Sequence, residues 1–145
     1  MTEHHPPIGT GLLLRRAHRS LARVLNARFA AYNVSVAGFN ILFVLWHGSG
    51  VTQSELPKLV DIDKATLTPI IDALEREGLI ERRQDPADRR RNNLFLTSRG
   101  QSLEAPLMAL ATEVVAAALQ GVAPGEVATL RRGLLAMLQN LDEPV

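Results

Sequence analysis

Residues 84–97, QDPADRRRNNLFLT, contain the side chains whose types and spacing most directly indicate a chemistry. Three consecutive arginines follow an Asp-Pro turn: Arg89, Arg90 and Arg91. Guanidinium groups at the end of a stiff turn can enter the minor groove of duplex DNA, where the negative potential is strongest. Asp85 and Asp88 lie close enough to pair with these arginines and to hold the turn in shape. The sequence therefore predicts a DNA-binding loop, and the alternative is a solvated hairpin whose surface ion pairs contribute little.

A helix predicted over residues 64–77 offers a second set of candidate DNA contacts. Its apolar residues recur at i, i+3, i+4 and i+7 and would face the core; they are Leu67, Ile70, Ile71 and Leu74. The other face begins with short side chains, and the candidate contacts on it are Lys64, Ala65, Thr66, Thr68, Pro69, Asp72 and Arg76. Threonine and alanine can contact a thymine methyl group, aspartate can accept from a cytosine amine, and the basic residues suit phosphates. An ordinary solvated helix surface is the alternative.

A helix-turn-helix is the element that would position these side chains. Thr52 and Glu55 have the spacing of a capping box, which predicts a short helix over about residues 53–59. Asp63 is placed to cap the next helix after about three residues of turn. Gly78 is placed to end that helix in the left-handed conformation. Two strands, 79–84 and 92–97, would then flank the arginine loop.

Further helices are predicted on both sides of this lobe. They cover about residues 10–31, a segment capped by Ser35 that runs to about Trp46, about 99–120 with Ser98 as the cap, and Gly125 to Leu141, while residues 1–9 form a flexible tail. Pro57 and Pro69 each remove a helical hydrogen bond, so we expect a slight bend at each.

The composition excludes several classes of function. The 145 residues include no cysteine, which removes disulfides, thiolate catalysis and cysteine-based zinc sites. None of the four histidines has metal-ligand spacing with a carboxylate, and no glycine-rich phosphate loop is present. We therefore predict neither an enzyme nor a bound metal or cofactor. The N-terminus lacks the pattern of a signal peptide, and the apolar run VAGFNILFVLWHG is too short to cross a bilayer. The prediction is a soluble cytoplasmic protein without a membrane partner.

Residues 52–100 resemble the MarR family of winged helix-turn-helix transcription regulators. The specific combination is Asp85, Asp88 and Arg90 in the wing, followed by Leu96, Thr97 and Gly100. The segment VAPGEVATLRRGLLAMLQNL is similar to the dimerisation helix that closes the family's fold. The TLTP start of the second helix, Thr66–Pro69, resembles the branch that senses organic hydroperoxides. That branch uses a reactive cysteine, which this chain lacks, so its sensing chemistry does not carry over.

The resemblance implies a mainly α fold with a small β-hairpin wing. A winged helix-turn-helix lobe of about residues 35–97 would combine with dimerisation helices of about 10–31 and 99–141 in a single domain over 10–145. It also implies a homodimer on a pseudo-palindromic operator, with the helix 64–77 in the major groove and the wing 84–92 in the minor groove. We expect a repressor, although a winged helix that contacts only protein remains the alternative.

A small anionic aromatic effector is a further expectation from the resemblance. No acidic residue occurs between Glu3 and Glu55, whereas five arginines do. An arginine fork beside an aromatic wall is a sound site for a carboxylate, and the candidate residues are Arg15, Arg16, His18, Arg19, Trp46 and His47. The alternative is that the arginines are solvated and that the aromatic side chains belong to the core.

Overall fold

The computed structural model describes residues 7–48 and 50–142. The elements of this part are α1 Thr10–Phe29, a 3-10 turn Ala30–Tyr32, α2 Val36–His47, β1 Val51–Thr52, α3 Leu56–Val60, α4 Lys64–Arg76, β2 Ile80–Gln84, β3 Asn92–Leu96, α5 Ser98–Ser102, α6 Glu104–Ala118 and α7 Pro124–Asp142. Residues 1–6 of the predicted tail and the last three residues of the predicted domain lie outside the described residues. Residues 7–9 precede α1 without regular structure.

The helix-turn-helix has the predicted local chemistry at its second helix. The side chain of Ser35 caps α2, and the side chain of Asp63 caps α4, each by accepting from a backbone N–H three residues later. Three residues separate α3 from α4, as predicted. Gly78 has φ +71°, so it ends this segment in the left-handed region that glycine adopts without a steric penalty. Because these signals are local, the sequence alone places α2 and α4.

The start of the helix-turn-helix differs from the prediction. Thr52 belongs to β1 and is paired with Asn93 of β3, so it does not cap a helix. Half of the capping box remains, because the Glu55 carboxylate accepts from the Thr52 N–H at 3.2 Å. Since α3 begins at Leu56, Pro57 lies in its first turn, where a missing N–H costs no helical hydrogen bond. The bend expected at Pro57 therefore has no basis, and the expectation was wrong.

The small sheet forms the wing and its base. β3 lies between β1 and β2, and all pairs are antiparallel, with Ile80 opposite Leu96 and Gln84 opposite Asn92. The two-residue strand β1 was not predicted, because two residues are too few to show an alternating pattern. We call β2, β3 and the loop 85–91 between them the wing.

One core holds the lobe together. The fully buried side chains come from α1, α2, α3, α4, the residue before β2, both wing strands and α6: Phe29, Ile41, Leu42, Leu45, Leu56, Leu67, Ile71, Leu79, Ile80, Leu94 and Leu107. The predicted stripe of α4 is part of it, although Ile70 is only partly buried against this cluster. The predicted fold class, mainly helical with a winged helix-turn-helix, is confirmed.

The predicted helix over 99–120 is two helices. Thr97, not Ser98, supplies the cap, because its hydroxyl accepts from the Gly100 N–H at 3.0 Å. α5 ends at Ser102, and α6 begins at Glu104. Pro106 explains the interruption, since it has no N–H for the Ser102 carbonyl and its ring crowds that carbonyl in a continuous helix.

The chain divides into two compact units, Met1–Val114 and Val115–Val145. The first contains the lobe and α1. The second contains the end of α6 and the whole of α7, and none of the residues of α7 is buried. The leucines of α7 are exposed, with Leu138 at 56% and Leu141 at 75%.

Candidate nucleic-acid interface

The N-terminal turn of α4 is locked by Asp63. One carboxylate oxygen accepts from the Thr66 N–H at 2.9 Å, and the other accepts from the Thr66 hydroxyl at 2.8 Å. The hydroxyl first, and then the N–H, lower the pKa of the Asp63 carboxyl below its usual value. This cap fixes the turn that carries the exposed residues Lys64 and Ala65.

Thr66 and Thr68 both use their hydroxyl protons inside the protein. The Thr68 hydroxyl donates to the Lys64 carbonyl at 3.0 Å, just as that of Thr66 donates to Asp63. Each side chain therefore offers a methyl group and oxygen lone pairs, but no donor. With this geometry they can pack on a thymine methyl or accept from an adenine or cytosine amine. The sequence could not decide between donor and acceptor.

The remaining predicted residues of α4 have different surroundings. Pro69 and Arg76 are exposed, and α4 continues past Pro69 to Arg76. Asp72 is half-buried, and its carboxylate accepts from the guanidinium of Arg82 on β2. A contact between Asp72 and a cytosine amine stays a prediction and would compete with this ion pair.

The loop of the wing is shaped by its two aspartates. Asp85 accepts from the Ala87 N–H at 2.8 Å, which is an Asx turn. Asp88 accepts from the Arg90 N–H at 3.0 Å and from the Arg90 Nε at 3.4 Å. The Asp85 N–H donates to the Arg91 carbonyl at 2.9 Å and closes the loop. Only Asp88 pairs with an arginine side chain here, because Asp85 acts on the backbone.

The three wing arginines point into solvent. Arg90 is 92% exposed, and Arg89 and Arg91 are also exposed. Within residues 7–48 and 50–142, neither Arg89 nor Arg91 has a side-chain partner, although the Gln84 amide donates to the Arg89 carbonyl at 3.4 Å. The loop therefore presents three positive charges of which one is partly neutralised.

The base of the wing is joined to α4 and α5 through Thr97. Its N–H donates to the Leu79 carbonyl at 3.1 Å, and its hydroxyl donates to the Gly78 carbonyl at 2.6 Å. The indole N–H of Trp46 donates to the Gly100 carbonyl at 3.0 Å, so α2 is tied to α5 at the same place. These contacts set where the hairpin leaves the lobe.

The predicted effector residues fall into two places. Arg15, Arg16, His18 and Arg19 are all exposed on α1. Trp46 and His47 instead line an open hollow of about 550 Å³ at the end of α2. Arg83 and Phe95 of the wing complete this hollow, with the Arg83 guanidinium 4.4 Å from the centre of the Phe95 ring. None of the four α1 residues lines it.

The sequence indicates only a strand at Arg82 and gives no sign of its contacts. Its guanidinium contacts Asp72 and Glu75 of α4 and Gln53 before α3. Arg83 faces the other side of the strand and pairs with Glu81. The alternation of sides along a strand could have separated the two arginines, but their partners lie too far away in sequence to be inferred.

Comparison with known proteins places this geometry in a family. Residues 34–91, which run from before α2 through α4 to the end of the wing loop, match the model of the MarR family. The chain belongs to the MarR family. The crystal structure of transcriptional regulator PA3341 has 32% sequence identity and a TM-score of 0.80, and the match covers 92% of this chain and 98% of that one.

Two further comparisons bear on the site. A regulator from Listeria monocytogenes, solved in complex with a 26mer DNA, has a TM-score of 0.84 and 25% identity over 93% of this chain and 90% of that one. The HTH-type transcriptional regulator TtmR of Methylorubrum extorquens is 33% identical over 89 residues, which are 61% of this chain and 42% of that protein. The chain spans less than half the length of this curated relative and of one other.

No single helix of the described residues is long and apolar enough to cross a membrane. Thr10–Tyr32 and Val36–His47 would pass by length and composition only as a pair, and they are bent by 73° at their junction.

Proposed function

We propose that this MarR-family protein is a transcription regulator that binds specific sites in double-stranded DNA in the cytoplasm. The wing carries the proposal. Its aspartates fix the backbone of the loop, while the guanidinium groups of Arg89 and Arg91 stay exposed and without side-chain partners among the described residues. A preformed basic loop loses little entropy when it enters the minor groove.

In this proposal α4 supplies the base contacts in the major groove. Ala65, Thr66, Thr68 and Pro69 are short or compact side chains near its N-terminus, which lets the backbone approach the bases closely. Lys64 and Arg76 lie at opposite ends of α4 and would contact phosphates. The wing would fix the protein's register, and α4 would select the sequence.

The protein is proposed to act as a homodimer. Along α7, Leu130, Leu134, Leu138 and Leu141 lie at helical spacing, and all four are exposed. A contiguous apolar stripe of this kind typically marks a protein interface. A two-fold dimer would place two lobes on a pseudo-palindromic operator, with half-sites about one helical turn apart.

The dimer is tested by changing α7. Leu138→Glu places a charge in the stripe and should give monomers in sedimentation equilibrium at micromolar concentration. Gln139→Glu adds the same charge one residue further along and should leave the dimer intact. A wild-type protein that sediments as a monomer would contradict this part of the proposal.

We further propose that the protein is a repressor, released by a small anionic aromatic ligand. Two places support binding of such a ligand: the exposed basic residues Arg15, Arg16, His18 and Arg19 of α1, and the hollow at Trp46, His47 and Arg83.

The two places can be distinguished by experiment. Trp46 is the chain's only tryptophan, so its fluorescence reports on the hollow. Benzoate is the probe: binding in the hollow should change Trp46 emission and be weakened by Arg83→Met, whereas binding at α1 should be weakened by Arg16→Ala. DNA affinity that stays constant at saturating benzoate argues against release by this ligand class.

DNA binding itself is tested by selection from a random duplex library at two salt concentrations. The proposal predicts recovery of a two-fold symmetric motif, with affinity that falls steeply as salt rises. Recovery of unselected sequences with weak binding only at low salt would favour a winged helix that contacts protein.

A further inference from the structure

Among the described residues of the wing strands, only Arg82 has a side chain that is hydrogen-bonded to α4, the helix proposed to enter the major groove. Its Nη1 donates to the Glu75 carboxylate at 3.1 Å, its Nη2 donates to Asp72, and its own backbone N–H donates to Glu75 at 3.2 Å. Its Nε donates to the Gln53 amide oxygen at 3.2 Å. The side chain is 21% exposed. One guanidinium therefore joins β2, α4 and the segment before α3.

No other residue does this in the part of the chain that the structure describes. Over residues 7–48 and 50–142, every hydrogen bond between α4 and the strands β2 and β3 comes from Arg82. Thr97 fixes only the base of the wing, through the carbonyls of Gly78 and Leu79. The wing strands are also held by β1, which pairs with β3 as far as Thr52 opposite Asn93, and the Gln53 N–H donates to the Asn92 carbonyl at 2.9 Å. Apolar packing of Ile80 and Leu94 in the core holds the wing as well, and Arg82 supplies the hydrogen-bonded part of the contact that sets the direction of the wing relative to α4.

The guanidinium is well suited to this task. It is planar, always charged, and carries its donors in a fixed fork that can contact two carboxylates at once. Because the group is mostly buried, its ion pairs with Asp72 and Glu75 are screened less than those of the exposed wing arginines. Lysine has a single ammonium group and cannot reproduce the fork.

We propose that Arg82 is a positioning residue that holds α4 and the wing at a fixed angle, so that both enter the DNA as one unit. This inference rests on the DNA-binding function proposed above. Two linked contacts bind far more tightly than two independent ones, because the first raises the effective concentration of the second. Loss of Arg82 would keep the wing arginines and the short side chains of α4, would free the carboxylates of Asp72 and Glu75, and would uncouple the two surfaces.

Arg83 is the matched control. It lies beside Arg82 on β2 and has the same charge, but its guanidinium pairs with Glu81 and stacks on Phe95 within the wing. Arg82→Met and Arg83→Met therefore remove the same charge from the same strand, and only the first cuts the link to α4.

A double-mutant cycle with Arg90→Ala on the selected operator duplex tests the proposal. In the wild-type and Arg83→Met backgrounds, Arg90→Ala should weaken binding by about tenfold. In the Arg82→Met background the wing no longer engages, so the same change should cost less than about twofold. Arg82→Met alone should weaken binding by roughly tenfold to a hundredfold. Equal costs of Arg90→Ala in all three backgrounds would overturn the proposal.

Folding is controlled by circular dichroism and by a second variant. If Arg82→Met is unfolded at the assay temperature, the cycle is run with Arg82→Lys, which keeps the charge but not the fork. Hydrogen exchange without DNA gives an independent outcome: the wing amides of residues 84–92 should exchange faster in Arg82→Met than in Arg83→Met, and equal rates would contradict the link. A wild-type protein that binds no selected duplex would instead contradict the proposed function.

Discussion

The carbonyl oxygen of Leu79 lies only 2.0 Å from the position that a Cβ on Gly100 would occupy. This close approach joins the turn between α4 and β2 to α5. Thr97 strengthens the junction with hydrogen bonds to both Leu79 and Gly100. Gly100 is therefore required by the proximity of a backbone atom, which cannot move aside as a flexible side chain can.

Gly100→Ala should lower the free energy of unfolding by about 1–3 kcal/mol, because the backbone must shift to admit the methyl group. Thermal and urea unfolding measure this change. Gly125→Ala in the first turn of α7 meets nothing within 4 Å and should leave stability unchanged or slightly raised. Equal stability of Gly100→Ala and the wild type would show that the junction is looser than the structure indicates.

Arg90→Ala should weaken operator binding by about tenfold and reduce the salt dependence by about one counterion, because it removes one charge from the minor groove. The thermal midpoint should hardly change, since Arg90 is 92% exposed and its ion pair with Asp88 is long. Fluorescence anisotropy against salt concentration gives both quantities. Arg131→Ala, which removes a charge from α7, is the control and should bind as the wild type does. If Arg90→Ala unfolds the protein, Arg90 is a structural residue.

Thr68 should influence sequence preference more than overall affinity. Its hydroxyl proton is held by the Lys64 carbonyl, so a base can meet only the methyl group or the lone pairs. Thr68→Val keeps the γ-methyl group and loses the acceptor, whereas Thr68→Ala loses both and retains only the β-carbon. Selection with each variant separates the two contacts: if Thr68 packs on a thymine methyl, only Thr68→Ala should relax the preference. A uniform loss of affinity in both would make Thr68 a backbone contact.

Asp63 should make stability depend on pH in the acid range. The Thr66 hydroxyl and N–H lower the pKa of the folded carboxyl below 3.8. Its contribution to stability is therefore present above this value and is lost as the pH falls through the folded pKa. The difference in thermal midpoint between wild type and Asp63→Asn should shrink on acidification below pH 4. A midpoint difference that stays constant on acidification would contradict the effect of the cap on this pKa.

Local signals explain what the sequence could predict. Ser35, Asp63 and Gly78 are capping residues, and the apolar stripe of α4 has a helical period, so α2, α4 and the hairpin were placed correctly. The sequence does not indicate β1, because β1 pairs with β3 much later in the chain, and this pairing makes Thr52 a strand residue and not a helix cap. The break before α6 follows from Pro106, which cannot donate to the Ser102 carbonyl four residues earlier. This signal is local, so the sequence contains it.

The geometry of the candidate interface could be predicted from the sequence only in part. The arginine loop and its aspartates are contiguous in sequence, and the structure gives the loop the turn they indicate. The partners of Arg82 lie 7, 10 and 29 residues away on two other segments. Only the folded chain brings them together, and only there does Asp72 become an ion-pair partner.

Footprinting of the selected duplex tests the central proposal most directly. Hydroxyl-radical cleavage reports on the minor groove, and dimethyl sulfate reports on guanine N7 in the major groove. We predict two symmetric regions in which a protected major groove is flanked by a protected minor groove, with Arg90→Ala losing only the minor-groove protection. Protection of a single unsymmetric site, or no minor-groove protection in the wild type, would contradict a dimer that binds DNA through α4 and the wing.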